Sequence, residues 1–403
     1  MRTDFDADYL AKPEGARANE ILRSCVHCGF CNATCPTYQV TGDELDGPRG
    51  RIYLIRDFLQ SGENAERAQH HLDRCLTCRA CETTCPSGVQ YAELAEIARN
   101  TMGPDRKGIN GVYRFFLSRL IPDVGLFRLL SRIGGLFRWL LPRRLSKHVP
   151  ESVSGPPVEQ DPSSLPSEAS SVILLNGCAQ QVSTGDTNRH LVDLLTGRGI
   201  RVISSQEEVC CGALPLHLGD DSMARGFARE NVDWLYERLS DSPSIVSTAS
   251  GCGVTVKEYG RLLDKDPVYA ERANQVAEHT LDVAEFIASL EIEWQPTQPA
   301  GTRIAWHAPC SLQHGQQING TVEQLLTGAG YELVPVADGH LCCGSAGTYS
   351  VLQPQLSEQL RDNKIAALLA HQPQLIASAN VGCQTHLSGA AAIPVVHWIE
   401  LIK

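Results

Sequence analysis

From residue 171 onward, short apolar runs alternate with longer stretches of helical periodicity. Ser171-Val-Ile-Leu-Leu175 is the first such run, and residues from Thr187 to Arg198 have helical spacing. Arg201-Val-Ile203 reads as the next strand, an amphipathic helix is predicted from Asp221 to Leu239, and Ser244-Ile-Val-Ser247 reads as a third strand. The same order then returns: Arg303-Ile-Ala-Trp306, a helix from Val322 to Thr327, Tyr331-Glu-Leu-Val-Pro-Val336, a helix from Gln355 to Ala370, and Gln374-Leu-Ile-Ala377. Apolar strands alternating with helices predict α/β units built on a parallel sheet.

Upstream the pattern changes. Between Gly111 and Leu141, Arg114, Arg119, Arg128, Arg132 and Arg138 interleave with Phe, Leu, Ile and Trp, which predicts strongly two-faced helices. Pro122, Gly134-Gly135 and Pro142 are expected to break them into pieces. Pro150 to Glu168 is rich in Pro, Ser and Glu and reads as an exposed linker.

The cysteines sharpen the repeat. Cys178 corresponds to Cys310, Cys210-Cys211-Gly212 to Cys342-Cys343-Gly344, and Cys252 to Cys383. The offset is 132 positions for the first three and 131 for the last. Two copies of one domain follow. In each, the cysteines fall after strands, where open α/β sheets place ligands. Neighbouring cysteines in an extended segment point to opposite sides. The pair therefore suits an object with several metal atoms, or a redox-active thiol pair, better than one small tetrahedral ion. A buried, inert pair is the bland alternative.

The other eight cysteines form two runs of C-x-x-C-x-x-C-x-x-x-C-P, Cys25, Cys28, Cys31, Cys35-Pro36 and Cys75, Cys78, Cys81, Cys85-Pro86. In this spacing, three thiolates hold one [4Fe–4S] cube and the fourth crosses to the other. The expected ligand sets are Cys25, Cys28, Cys31, Cys85 and Cys75, Cys78, Cys81, Cys35. Zinc would explain C-x-x-C pairs but not two matched four-cysteine runs each ending in proline. A disulfide framework belongs to small secreted domains. His27 lies inside the first loop beside a complete cysteine set and is expected at the periphery. Arg49, Arg51, Arg74 and Arg79 either offset cluster charge or are solvated.

Composition adds bounds. With 403 residues and 42% apolar content, the chain has material for several cores. The acidic start, Met1 to Leu10, has no apolar core, so no export signal is expected. No charge-free apolar stretch is long enough to span a bilayer. Net charge is −11, yet Arg106 to Lys147 carries ten Lys or Arg and one acid, so the remainder is strongly acidic. That balance argues against nucleic acid as a partner. Basic amphipathic helices with aromatics read as membrane-surface elements, or as packing faces for a partner subunit.

Taken together, the two ferredoxin motifs, the linking Gly47-Pro-Arg-Gly-Arg-Ile-Tyr-Leu54 and the tandem Cys-Cys-Gly domains resemble the iron–sulfur subunit family of bacterial glycolate oxidase. The Cys-Cys-Gly domain is similar to that of heterodisulfide reductase. The resemblance implies an electron-transfer subunit with no catalytic residues of its own. It would relay electrons towards a membrane acceptor or quinone from an FAD-containing subunit that oxidises glycolate to glyoxylate, accompanied by a second flavoprotein-like subunit. D-lactate and glycerol 3-phosphate systems have related architectures, and a thiol-disulfide or quinone reductase acting at the Cys-Cys-Gly sites is the rival. No dinucleotide-binding Gly-x-Gly-x-x-Gly follows a strand, so the hydroxy-acid chemistry needs another chain. The C-x-x-C ending of the heterodisulfide reductase domain is missing: Gly253-Val-Thr255 and Gln384-Thr-His386 stand there. Each domain keeps four cysteines, so Cys178, Cys210, Cys211, Cys252 or Cys310, Cys342, Cys343, Cys383 would bind a further iron–sulfur cluster, with His386 as a substitute ligand in the second. His307, His314 and His340 are expected to have satisfied structural roles.

The expected fold is α+β and multidomain. A helical two-[4Fe–4S] ferredoxin domain spans 1–105, a basic amphipathic segment 106–148 and a linker 149–170. Cys-Cys-Gly domains follow at 171–295 and 301–403. The expected location is cytoplasmic, peripheral on the inner membrane.

Overall fold

The computed structural model describes residues 1–141, 146–147, 149–150, 153–155, 170–204 and 208–403. The amino-terminal part is helical. Pro13, Pro36 and Pro48 each open a helix, Pro13–Ser24, Pro36–Thr41 and Pro48–Ser61, a position where the missing N–H costs nothing. Pro13–Ser24 and Pro48–Ser61 pack with Ala65–Asp73 and Tyr91–Met102. Their core is Ile21, Leu22, Ile55, Leu72, Leu94 and Ala98, and Cys25 and Cys81 border it.

Two four-stranded parallel sheets follow, of identical topology. The first joins β1 (Ser171–Leu175), β2 (Arg201–Ile203), β3 (Ile245–Ser247) and β4 (Thr280–Asp282) in the order β2-β1-β3-β4. The second joins β5 (Arg303–His307), β6 (Glu332–Val334), β7 (Leu375–Ser378) and β8 (Val395–His397) in the order β6-β5-β7-β8. Register is parallel throughout, with Ile173 opposite both Ile203 and Ile245 in the first sheet. β4 and β8 extend each sheet beyond the predicted strands. Three residues each, they carry no periodic signal and are held by pairing and by packing of Leu281 and Val396 on the shared core.

One apolar cluster runs through both sheets, from Val172, Leu174 and Val246 to Ile304, Trp306 and Trp398. The two units therefore share a core. The extreme carboxyl terminus closes it, with Gln295 N donating to Lys403 O at 3.0 Å and Lys403 N returning to Gln295 O at 2.8 Å.

The basic segment forms helices Gly108–Leu120 and Val124–Leu136, broken at Pro122 as expected. The break expected at Gly134-Gly135 is absent, since both lie within the second helix. A Cβ on Gly134 would stand 3.4 Å from Leu141 and Val149, ordinary packing contact, and one on Gly135 would meet nothing within 4 Å. Pro142 and most of the expected linker lie outside the described residues. The described part includes Ser154, whose N–H donates to Val182 O at 3.0 Å.

Candidate metal centres

Both ferredoxin motifs fold into the same loop. His27 and Thr77 occupy equivalent positions with φ of 56° and 53°, and Gly29 and Arg79 follow at 86° and 62°. Three of these four are not glycine, so left-handed backbone is imposed on residues that resist it. Each loop then enters a single helical turn, Phe30–Ala33 or Ala80–Thr83.

The loops sort the eight thiols into two neighbourhoods. Cys31 is surrounded by Cys25, Cys85 and Cys28. Burial, then these neighbours, pushes its thiol up to about 11. A pocket lined by Cys25, Cys28, Cys31 and Cys85, with Ile52 and Tyr91 on its walls, lies at that place; Cys81 forms part of the far side. Cys81 itself is surrounded by Cys78, Cys75 and Cys35. The last cysteine of each run thus stands among the first three of the other.

In the second neighbourhood burial pushes the Cys78 and Cys81 thiols up, whereas charge and donors favour the thiolate at Cys75. Burial works against the Cys75 thiolate, but Arg51, Arg99, the Thr77 N–H and the Tyr91 hydroxyl outweigh it and hold the thiol below its ordinary range. The Thr77 N–H lies 3.4 Å and the Tyr91 Oη 3.7 Å from Cys75 Sγ. Arg51 is fully buried beside Cys35. Metal ligands must be deprotonated, and apolar walls with hydrogen bonds to sulfur are what an iron–sulfur centre requires. The residues present therefore fit two [4Fe–4S] clusters.

The four arginines near the motifs divide. Arg51 is at the sulfurs, whereas Arg74 donates to Asp46 at 2.8 Å and Arg49 to Glu44 at 2.6 Å. Arg79 bridges Glu82 at 2.7 Å and Glu258, tying the ferredoxin part to the first sheet domain. Arg99 and Tyr91 carried no sequence signal, because on helix Tyr91–Met102 they are ordinary helical residues. Only packing brings them to Cys75. His27 stacks on Tyr53 at 4.5 Å, at the periphery as expected.

The Cys-Cys-Gly cysteines gather at the carboxyl ends of the strands. In the first domain Cys178 and Cys210 Sγ are 3.6 Å apart, and Cys211 contacts Cys210 and Cys252. Gly212 and Gly344 have φ of 88° and 89°; a Cβ there would reach 2.9 Å from Ala224 O and 2.7 Å from Ser357 O. Their N–H groups face Cys210 Sγ at 3.5 Å and Cys342 Sγ at 3.4 Å. Glu208, absent from the expected site, accepts from the N–H groups of Asn176 at 2.6 Å and Gly177 at 3.0 Å. Burial nevertheless raises its carboxyl to about 7.

In the second domain Cys310 and Cys342 Sγ are 3.9 Å apart. Both pack in one cluster with Cys78 of the ferredoxin part, together with Leu76 and Tyr349. His386 Nε2 lies 3.2 Å from Ser357 Oγ. His314 has the satisfied role expected of it, bonding Thr83 Oγ1 at 2.9 Å and His340 O at 2.9 Å. His307 departs from expectation. Both its ring nitrogens are buried and have no hydrogen-bond partner among the described residues.

Helical thiol loops joined to tandem parallel-sheet thiol domains define a multidomain iron–sulfur protein of the electron-transfer class. Residues 21–89 match a family described as a 4Fe-4S dicluster domain, and 172–257 and 304–388 match one described as a cysteine-rich domain. The chain is 42% identical to the glycolate oxidase iron–sulfur subunit of Escherichia coli, over 100% of this chain and 98% of that one. It is 31% identical to the probable glycolate oxidase iron–sulfur subunit of Bacillus subtilis, over 90% and 87%. Lactate utilization protein A of an Exiguobacterium species is 25% identical over 58% of this chain and 96% of that one. A hypothetical protein from Helicobacter pylori shares the fold, with a TM-score of 0.58 at 10% identity over 97% of this chain and 72% of that one. The chain belongs to the glycolate oxidase iron–sulfur subunit family.

Proposed function

We propose that this chain carries electrons from an FAD-containing subunit that oxidises glycolate to glyoxylate towards a membrane acceptor, within a complex that includes a second flavoprotein-like subunit. In this reading Cys25, Cys28, Cys31 and Cys85 hold one [4Fe–4S] cluster and Cys75, Cys78, Cys81 and Cys35 the other. When bound, such clusters supply one-electron carriers. The protein supplies spacing, orientation and charge. Arg51 and Arg99 favour the thiolate form of Cys75, and Cys35 and Cys81 are buried away from water.

The observation that carries the proposal is the order of the thiol groups. Cys25 to Cys31 border an open pocket, the second set lies behind Cys81, and Cys78 packs against Cys310 and Cys342. That order gives the chain an accessible end and an inner end. The four cysteines of the first sheet domain, chained thiol to thiol, would hold a further iron–sulfur cluster.

The membrane side of the reading rests on the basic segment. No helix among the described residues is long and apolar enough to cross a membrane. Instead Ile109, Phe116, Leu129 and Leu136 are exposed on the two helices, and Trp139 and Leu140 on the turn Arg138–Leu140 that follows, Trp139 at 78%. Arginines border them. Apolar side chains with basic neighbours suit an anionic lipid surface, where each cation near the headgroups contributes about 1 kcal/mol. This surface supports our reading of a peripheral location on the cytoplasmic face.

Anaerobic co-purification from the native cell tests the reading. A flavoprotein should accompany the chain, and glycolate should bleach the broad iron–sulfur absorbance of the complex. D-lactate belongs in the same assay, given the lactate utilization relatives. A complex without flavoprotein, or unchanged absorbance with every hydroxy acid, overturns it.

A further inference from the structure

The two ferredoxin loops are related by an offset of 50 positions, so Val26, Cys28 and Phe30 correspond to Leu76, Cys78 and Ala80. Their backbones agree, with φ of 56° at His27 and 53° at Thr77. Their surroundings differ. Leu76 is 7% exposed and Ala80 1%, and Leu76 and Cys78 pack with Cys310, Cys342 and Tyr349 of the second sheet domain. A thiol-bearing domain thus sits directly on the second loop. On the first loop the same positions are open to solvent: Val26 is 66% exposed and Phe30 60%. Of the sixteen cysteines, all of them among the described residues, only Cys28 is exposed.

Aromatic and cationic groups surround Cys28. His27 stacks on Tyr53, itself exposed, and the Arg56 guanidinium lies 5.0 Å over the Tyr53 ring. Arg49 reaches the same loop, since a Cβ on Gly29 would stand 2.7 Å from its Nη1. The Met1 amine donates to Cys25 O at 2.7 Å. Glu44 and Asp57 pair with Arg49 and Arg56 at 2.6 Å each, so three cations face two anions here. Apolar side chains at the centre with aromatic and arginine neighbours are the anatomy of a protein–protein contact. The surface proposed to meet lipid is built elsewhere. Gly108–Leu120 packs on Ala213–Leu218 and Tyr349–Leu352 of the sheet domains, and Val124–Leu136 packs on Gln180–Ser183.

From this comparison of the two loops we propose that the face formed by Val26, Cys28, Phe30 and Tyr53 is where the FAD-containing subunit docks. Electrons then enter at the cluster of Cys25, Cys28, Cys31 and Cys85. This assignment rests on the function proposed above and adds the face and the cluster that receive the electrons. The second loop hands electrons to a thiol domain of its own chain, seated on Leu76 and Cys78. The first loop offers the equivalent seat to a redox partner on another chain. That partner must present an apolar centre, with carboxylates towards Arg49, Arg56 and the Met1 amine. Two electrons and two protons leave glycolate for the partner's flavin as glyoxylate forms. The electrons cross this face singly, one to each cluster, and the protons pass to solvent.

The complex purified without oxygen tests this, with Phe30→Glu and Tyr53→Glu made singly and together. Both side chains are exposed, so neither change disturbs a core. Expected is a fall of roughly tenfold or more in the rate at which glycolate reduces the clusters. The low-temperature paramagnetic signal after chemical reduction with dithionite should stay at full amplitude. Val268→Glu puts the same charge on an exposed apolar position of the first sheet domain and should leave the rate unchanged. Benzoylphenylalanine in place of Tyr53 should, on illumination, crosslink to the FAD-containing subunit, a readout independent of cluster content. Crosslinks confined to a second copy of this chain, to the second flavoprotein-like subunit or to lipid overturn the proposal. Wild-type reduction rates in the double variant overturn it too, and leave the proposed function standing. Wild-type complex whose clusters stay oxidised with every hydroxy acid refutes the proposed function, and the docking face with it.

Discussion

The Arg51 guanidinium stands with Nη1 4.0 Å from Cys35 Sγ, on a side chain only 1% exposed. Its Nε donates to His71 O at 2.8 Å and its Nη2 to Thr37 Oγ1 at 3.1 Å, and it faces Asp46 at 3.8 Å. Burial works against the Asp46 carboxylate, but hydrogen bonds from His71 and Arg74 and the charge of Arg51 outweigh it and hold its pKa below the usual range. A buried cation is thereby fixed between a carboxylate and the sulfurs. It is compensated on one side and free to act on the other.

Replacing Arg51 by Met should shift the reduction potential of the adjacent centre negative by tens of millivolts, because a positive charge that favours the added electron is gone. Stability should fall by about 2–4 kcal/mol, since Asp46 keeps two partners but loses the third. Arg51→Lys should restore part of the potential and little of the stability, as an ammonium lacks the planar fork that reaches three partners. Redox titration followed by paramagnetic resonance reads the first effect and thermal unfolding the second.

The exchange of the last cysteines makes a pairing test. Cys28→Ser combined with Cys85→Ser should lose no more iron than either alone, about four atoms per chain, because both serve one cluster. Cys28→Ser combined with Cys35→Ser should lose about eight. Iron analysis giving the reverse pattern would mean that each run holds its own cube.

Asp282 caps helix Val283–Ser289, accepting from Ala284 N at 3.0 Å and from Gln316 Nε2 at 3.1 Å. Burial still dominates and raises its carboxyl to about 7. A folded pKa above the unfolded value means that the native state binds the proton more tightly. Its stabilising contribution is complete below about pH 4 and is lost as pH rises to about 7. The loss is on the order of 3–4 kcal/mol at most. Thermal midpoints of Asp282→Asn should lack this decline between pH 5 and 7, while remaining within about 1 kcal/mol of wild type at the acid end. An identical pH slope in both proteins would refute it.

Sedimentation with vesicles tests the basic helices. Binding to anionic vesicles should weaken several-fold between low and physiological salt, as screening shortens the reach of the arginines. Phe116→Ser with Trp139→Ser should weaken it at every salt concentration. Neutral vesicles should bind poorly. Equal binding to neutral and anionic lipid would remove electrostatics from the account.

Much of this protein is legible in one dimension, because local chemistry dictates it. The thiol loops are set by spacing within a few residues, and the sheet strands by contiguous apolar runs. The duplication shows because Cys178, Cys210 and Cys211 recur at a constant offset as Cys310, Cys342 and Cys343. Three-residue strands such as β4 and β8 escaped because pairing and packing, not periodicity, make them. Gly134-Gly135 stands in the last turn of its helix, where each glycine lowers propensity by about 1 kcal/mol without ending the helix before Leu136.

Tertiary structure alone decided which polar groups meet the sulfurs. Arg99 and Tyr91 reach Cys75 across a helix interface, Cys78 reaches Cys310 across a domain boundary, and His307 reaches Cys343 and Cys383 across three strands. Such contacts depend on the register and crossing of elements far apart in the chain, and sequence carries that information only through the whole of the packing. Motifs therefore named the metal chemistry, while folding chose the groups that tune it.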